Sequence, residues 1–302
     1  MANEMKLTRD NYYTPEADRA YLSCSQFESF LECEAAALAK IQGRYTPEPS
    51  KAFVVGNYFH TAFESPEAHE EFIQEHFREI YKGRELKSGE FKVSGKKADF
   101  ELADRMIETA HADPAIRKLI DAPGENEMIM TGKLFGRYPW RIRLDKYIPD
   151  KPRMIIDWKT VADIRNRVSG KPGWTSFVEA YRYPFRAAVY MEIEKQFTGN
   201  KTDPAFWLVC ISKQDPPDKE IVSMNDLQRQ EYELEKVREK IWHIQQIKDG
   251  LAQPMRCGKC AYCRKSKKIK GVLDYWELEP DNAPEAEVDG WEEIGIQEDA
   301  DL

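Results

Sequence analysis

The sequence predicts an α/β fold, a mainly antiparallel or mixed sheet flanked by helices and preceded by a helical N-terminal region. Three observations carry this reading. Apolar residues in the first 120 positions recur at helical spacing. Short alternating runs then follow, separated by Gly136 and by Pro149-Asp150, as in a three-strand meander. The remainder reads helix, strand, helix, which fits one core with helical additions.

In SQFESFLECEAAALAKI (25–41), Phe27, Phe30, Leu31, Ala35 and Leu38 share a helical face, and Ser25 with Glu28 forms a capping box. GRYTPEPS breaks that helix. A second is predicted over AFVVGNYFHTAFE, and further helical patterns cover 66–81 and 97–120, ended or interrupted near Gly83, Gly95 and Pro114. Strands are expected at 126–135, 138–148 and 153–158. A helix over 176–197 follows, with Pro184 either kinking it or marking its start. AFWLVCIS then reads as a strand, and 225–249 as a long polar helix. This organisation gives one domain over 1–276, comprising a helical region (20–120), a sheet with helices (121–250) and a cysteine segment (255–270), followed by an acidic tail (277–302).

The chain has 302 residues, 41% hydrophobic and 32% charged. With a mean hydropathy of -0.68 and no apolar run near the ~18–20 residues that cross a bilayer, a membrane protein is excluded. The N-terminus lacks a secretory signal, so a cytoplasmic location is expected, where the six cysteines stay reduced and clustered thiols read as metal ligands. The net charge of -8 is unevenly spread: residues 277–302 carry eleven acids and no Lys or Arg, leaving 42 acidic against 45 basic residues elsewhere. A nucleic-acid partner is therefore compatible with the pI of 5.4. The tail itself reads as disordered.

The segment RIRLDKYIPDKPRMIIDWKT carries the chemistry. If its two strands pair as a hairpin, Asp145 and Asp157 converge at one sheet edge, with Lys159 on the same face as Asp157. Two acids and a lysine suit phosphodiester hydrolysis, the carboxylates holding a hard cation and the lysine positioning water or offsetting charge. A lone D-x-K is usually ordinary solvated surface, but Asp157 closes an apolar run, where a charge needs a reason.

At this point the chain resembles the PD-(D/E)xK nuclease superfamily, within it the RecB-like branch. The resemblance rests on Gly56-x-x-x-His60, the Asp of Ile142-Arg143-Leu144-Asp145, Asp157-x-Lys159, and Arg186-x-x-x-Tyr190, in that order. It implies a restriction-endonuclease-like core with Asp145, Asp157 and Lys159 catalytic. It further implies that His60, Asp145, Asp157 and the backbone carbonyl of Trp158 hold Mg²⁺ or Mn²⁺, Glu64 being a weaker candidate. Without it, a lone helical histidine such as His60 is more often structural. Arg186 stands where the family has Gln. Arginine can grip phosphate bidentately, so Arg186 and Tyr190 are candidate DNA contacts, core packing being the other reading of Tyr190.

Cys257, Cys260 and Cys263 form a C-x2-C-x2-C run that calls for a metal. By resemblance to iron–sulfur nucleases of this branch, Cys33 supplies the fourth ligand, with Cys24 the alternative and Cys210 read as core. The tight spacing suits a 4Fe-4S cluster, and Zn²⁺ is the alternative. The basic residues between Arg256 and Lys270 form either a solvated loop or a phosphate-contacting strip.

Residues 10–276 together resemble RecE-like phage and prophage exodeoxyribonucleases. That resemblance implies a Mg²⁺-dependent exonuclease acting at double-stranded DNA ends, a single-strand annealing partner of the RecT type, and a ring-shaped homo-oligomer. The alternatives are an end-trimming nuclease resembling those of CRISPR adaptation and an inactive DNA-binding scaffold, against which the intact Asp145, Asp157 and Lys159 argue. An RNA substrate also remains open.

Overall fold

A computed structural model describes residues 5–47, 51–170, 173–269 and 271–277, so the acidic tail beyond residue 277 lies outside the described residues. The N-terminal helices are Pro15–Ala20 (α1), Cys24–Glu32 (α2), Glu34–Ile41 (α3), Lys51–Glu64 (α4), Pro66–Glu75 (α5) and Phe77–Ile80 (α6). A hairpin of Tyr81–Glu85 (β1) and Phe91–Lys96 (β2) precedes Ala98–Ala112 (α7) and Pro114–Asp121 (α8). Then come Glu125–Leu134 (β3), Tyr138–Ile148 (β4), Met154–Val161 (β5), a small hairpin of Val168–Gly170 (β6) and Gly173–Thr175 (β7), Phe177–Ala180 (α9) and Tyr183–Thr198 (α10). Ala205–Ser212 (β8), Lys219–Ser223 (β9), Leu227–Lys248 (α11) and Ala261–Lys265 (α12) follow.

The central sheet has the order β3-β4-β5-β8-β9. Its pairs are antiparallel except β5 with β8, which run parallel because α10 carries the chain across between them. Alternation along the strands divides the core. Ile155, Phe206, Leu208 and Cys210 pack with residues of α2, α10 and α11, whereas Ile156, Trp158, Val209 and Ile211 pack with residues of α4, α7 and α8. A sheet buried on both faces accounts for the nearly continuous apolar character of β5 and β8. At Gly132 an added Cβ would lie 2.9 Å from Ile193 Cδ1, so glycine is what lets β3 approach α10 so closely.

The meander, the long helix and the strand AFWLVCIS lie where the sequence places them. Three local expectations change. First, 25–41 is two helices, not one: Ser23 caps α2 by accepting from the Gln26 N–H at 3.3 Å, and the extended backbone of Cys33 separates α2 from α3. Because Ser23 is the cap and Ser25 lies inside the helix, the expected capping box of Ser25 with Glu28 does not form. Second, Pro184 opens α10, where its missing N–H costs nothing. Third, β1, β2 and the edge strand β9 stand where the sequence offered only breaks. No helix among the described residues is long and apolar enough to cross a membrane.

One polar group is sealed inside the core. The Glu194 side chain on α10 is 0% exposed, and it accepts from Arg153 Nε at 2.8 Å and from the Tyr147 hydroxyl at 2.6 Å. This network fixes α10 to the β4–β5 turn. Arg153→Ala would strand a buried carboxylate, so a loss of about 3–5 kcal/mol is expected in urea unfolding, with Glu194→Gln costing less.

Candidate active site

The pairing of β4 with β5 covers Lys146 with Ile156, Tyr147 with Ile155 and Ile148 with Met154, and ends there. One step further, the register sets Asp145 opposite Asp157. The Trp158 N–H, left without a ladder partner, donates to Asp145 Oδ2 at 2.8 Å. The same oxygen lies 3.3 Å from His60 Nδ1 and 3.8 Å from Lys159 Nζ. Lys159 also pairs directly with Asp157 Oδ2 and donates to the Trp158 carbonyl at 3.0 Å. His60 reaches this point because Phe53, Asn57, His60 and Glu64 follow one another down one stripe of α4 and line the same cleft. Trp158 stacks on Phe63 of that helix, ring centroids 4.7 Å apart, and so registers α4 against β5.

Two carboxylates, a lysine and a histidine therefore face a cleft of about 1010 Å³. Burial alone would raise the Asp145 carboxyl. Lys159, His60 and the Trp158 N–H outweigh it and hold that group well below the usual carboxylate range. Burial pushes the Asp157 carboxyl up against the pull of Lys159, and the neighbouring Asp145 charge adds to the rise. Carboxylate oxygens, an imidazole nitrogen and the Trp158 carbonyl are donors of the kind that a hard divalent cation takes. Glu64 lines the cleft, but its carboxylate is taken by Arg9 Nη1 at 2.7 Å.

Arg186 and Tyr190 lie in the cleft wall on α10. Arg186 is half-buried, 3.9 Å from Glu28 and over the Tyr183 ring, and its Nε finds no hydrogen-bond partner among the described residues. Tyr190 packs edge-on against Phe206 at 6.0 Å. The cleft also contains residues that the sequence reading passed over: Tyr12, Tyr13, Arg141, Arg143 and Glu127. Counting back from Asp145 in steps of two would have found the two arginines. Glu127 gave no such signal, because only the β3–β4 register sets it opposite Asp145. Burial pushes its carboxyl up to about 7 despite Arg143, with Asp145 and Glu64 pushing the same way.

The sulfurs of Cys33, Cys257, Cys260 and Cys263 lie within 4.8 Å of one another. The break between α2 and α3 places Cys33 Sγ 3.6 Å from Cys263 Sγ, which is itself 3.9 Å from Cys257 Sγ. Backbone N–H groups of Cys260 and Cys263 donate to the sulfurs of Cys257 and Cys260, and such bonds favour thiolates. Hydrogen bonds from the Cys260 and Lys259 N–H groups pull the Cys257 thiol down to about 6. Cys24 lies elsewhere, buried with Phe27 and facing Arg186, and Cys210 is in the core.

A mixed sheet that opens beside its second and third strands, with paired carboxylates and a lysine in the opening, defines a PD-(D/E)xK-type nuclease fold. The chain belongs to the family described as a PDDEXK-like domain of unknown function (DUF3799), whose model matches residues 23–266. A crystal structure of a protein described as a "putative exonuclease" from Eubacterium rectale is similar to it, with 30% sequence identity and a TM-score of 0.79 over 92% of this chain and all of that one. The crystal structure of SSO0001 aligns at 12% identity and a TM-score of 0.30, over 73% of this chain and 86% of that one, too distant to inform the fold. No curated protein matches the chain in sequence.

Replacing Asp157 by alanine removes a buried charge without opening a large cavity. Calorimetric titration should show loss of Mg²⁺ or Mn²⁺ binding, while the melting temperature stays level or rises.

Proposed function

We propose that the protein is a metal-dependent exodeoxyribonuclease that digests one strand of linear double-stranded DNA. The observation that carries this reading is the convergence of His60, Asp145, Asp157 and Lys159 at the mouth of the β4–β5 opening. A divalent cation held by His60, Asp145, Asp157 and the Trp158 carbonyl would polarise the scissile phosphate and acidify the attacking water. Lys159, held between the two carboxylates, orients that water and offsets charge developing on the phosphate. Arg186 and Tyr190 would meet the strand along the same wall. The 30% identity to a protein described as an exonuclease supports end-dependent cleavage. The expected products are single strands for an annealing protein of the RecT type, with several copies arranged as a ring around DNA.

The decisive test uses end-labelled linear and circular duplexes, with and without Mg²⁺. Linear DNA should be shortened from an end only with metal, and the covalently closed circle should persist. Cutting of the circle would sink the exonuclease reading. Lys159→Ala should slow digestion roughly a hundredfold, and Asp157→Ala on the order of a thousandfold or more.

The cysteine group is read as a structural 4Fe-4S site on its C-x2-C-x2-C spacing. A specific observation favours zinc: a tetrahedron with Zn–S bonds of about 2.3 Å has edges of about 3.8 Å, close to the 3.6 and 3.9 Å seen here. In a cubane each thiolate serves a different iron, and the sulfurs stand further apart. Anaerobically purified protein should be brown with broad absorbance near ~400 nm for the cluster, or colourless with one zinc per chain. In either case Cys260→Ser should lower the melting temperature by about 10 °C or more, since the site ties residue 33 to residue 263.

A further inference from the structure

Three arginines face the cleft, and they are not equivalent. Arg141 is buried and ion-paired with Asp18, so its charge is already committed. Arg186 is half-buried and turned toward Glu28 and Tyr183. Arg143 differs from both. Its Nε lies 2.6 Å from Glu127 Oε2, a third of its side chain is exposed, and its two Nη groups have no hydrogen-bond partner among the described residues. The end-on fork of the guanidinium is therefore presented to the cleft, with one edge already anchored.

The backbone aims this fork. Arg141, Arg143 and Asp145 alternate with the buried Ile142 and Leu144, so Arg143 stands one pleat repeat, about 6.6 Å, from Asp145 on the same side of β4. Its anchor, Glu127, stands opposite Asp145 in the unbroken β3–β4 register and has a φ of 56°, the left-handed region that non-glycine residues seldom occupy. That backbone carries the Glu127 carboxylate to Arg143, and such local strain concentrates at functional positions. Over the guanidinium lies the ring of Tyr13, with its centroid at 4.9 Å, and Tyr12 is at 5.7 Å. Tyr12 is buried, but Tyr13 is 66% exposed, an aromatic face left open at the cleft edge.

We propose that Arg143, positioned by Glu127, grips the phosphate adjacent to the scissile one on the strand being digested, while Tyr13 stacks on the base attached to it. The inference rests on the nuclease reading and adds to it a phosphate and base subsite beside the reacting carboxylates. Two parallel N–H···O bonds to the non-bridging oxygens hold the strand in register with Asp145, and stacking on Tyr13 tolerates any base. Arg143 is thus a substrate-binding residue and Glu127 a positioning one.

The test digests oligonucleotides in which one phosphate at a time is replaced by a neutral methylphosphonate, measuring kcat and KM with the full chain and Mg²⁺. For the wild type, the replacement next to the scissile phosphate should raise KM by about 10- to 100-fold. Arg143→Gln should raise KM by a similar factor on the unmodified strand, far more than it lowers kcat, and should abolish the penalty of that one methylphosphonate. Glu127→Gln should show a smaller rise in KM and retain the penalty. Tyr13→Ala should weaken binding and Tyr13→Phe restore it. If the wild type is indifferent to that methylphosphonate, or Arg143→Gln still feels it, the subsite is refuted while the nuclease reading stands. The wild-type scan decides this even should Arg143→Gln fail to fold. A wild type that digests no strand at all refutes both.

Discussion

The molecule is organised around an interrupted ladder. After three residue pairs, β4 and β5 stop hydrogen bonding to each other, and the polar groups released by that parting become the site. The Trp158 N–H needs an acceptor, and the Asp145 carboxylate supplies one. Strand alternation then leaves no freedom to Asp157 and Lys159, which must face the same opening from the other strand. The parting is maintained from both sides, by Trp158 stacked on Phe63 of α4 and by Glu194 of α10 locked to Arg153 and Tyr147 at the closed end of the pair. The core apolar layers are therefore the frame that keeps two strands apart where chemistry needs space.

Such an opening concentrates negative charge under poor solvation. The carboxyls respond in opposite directions, Asp145 held down and Asp157 pushed up, a division produced by one shared lysine and unequal hydrogen bonding. On the neighbouring pleats of β4, Arg141 and Arg143 bring positive groups to the cleft, each paired with an acid, Asp18 and Glu127.

Much of this was legible in the residues. Period-two alternation placed β4 and β5, and the D-x-K step gave the shared face of Asp157 and Lys159, because strand geometry depends on nothing distant. The PD-(D/E)xK assignment rested on four ordered elements and agrees with the family match. What was hidden depended on tertiary contacts. The helix at 25–41 has uninterrupted helical spacing, and nothing local announces that it breaks at Cys33; the reason for the break lies 230 residues away, in Cys263. Glu127 escaped because it reaches the cleft only through the cross-strand register that sets it opposite Asp145, which no local pattern fixes. The edge strands β1, β2 and β9 are short and largely exposed, so no apolar alternation marks them.

The contact between Cys33 and Cys263 also fixes an order of events. A protein emerging from the ribosome presents residue 33 early, whereas its sulfur partners appear only after the whole sheet and α11 have been made. Before that α2 has its packing against the sheet and α10, Phe27 against Trp140 and Phe185, but not its tie at Cys33. The cysteine segment is thus the last part of the chain that can join the helix break at Cys33.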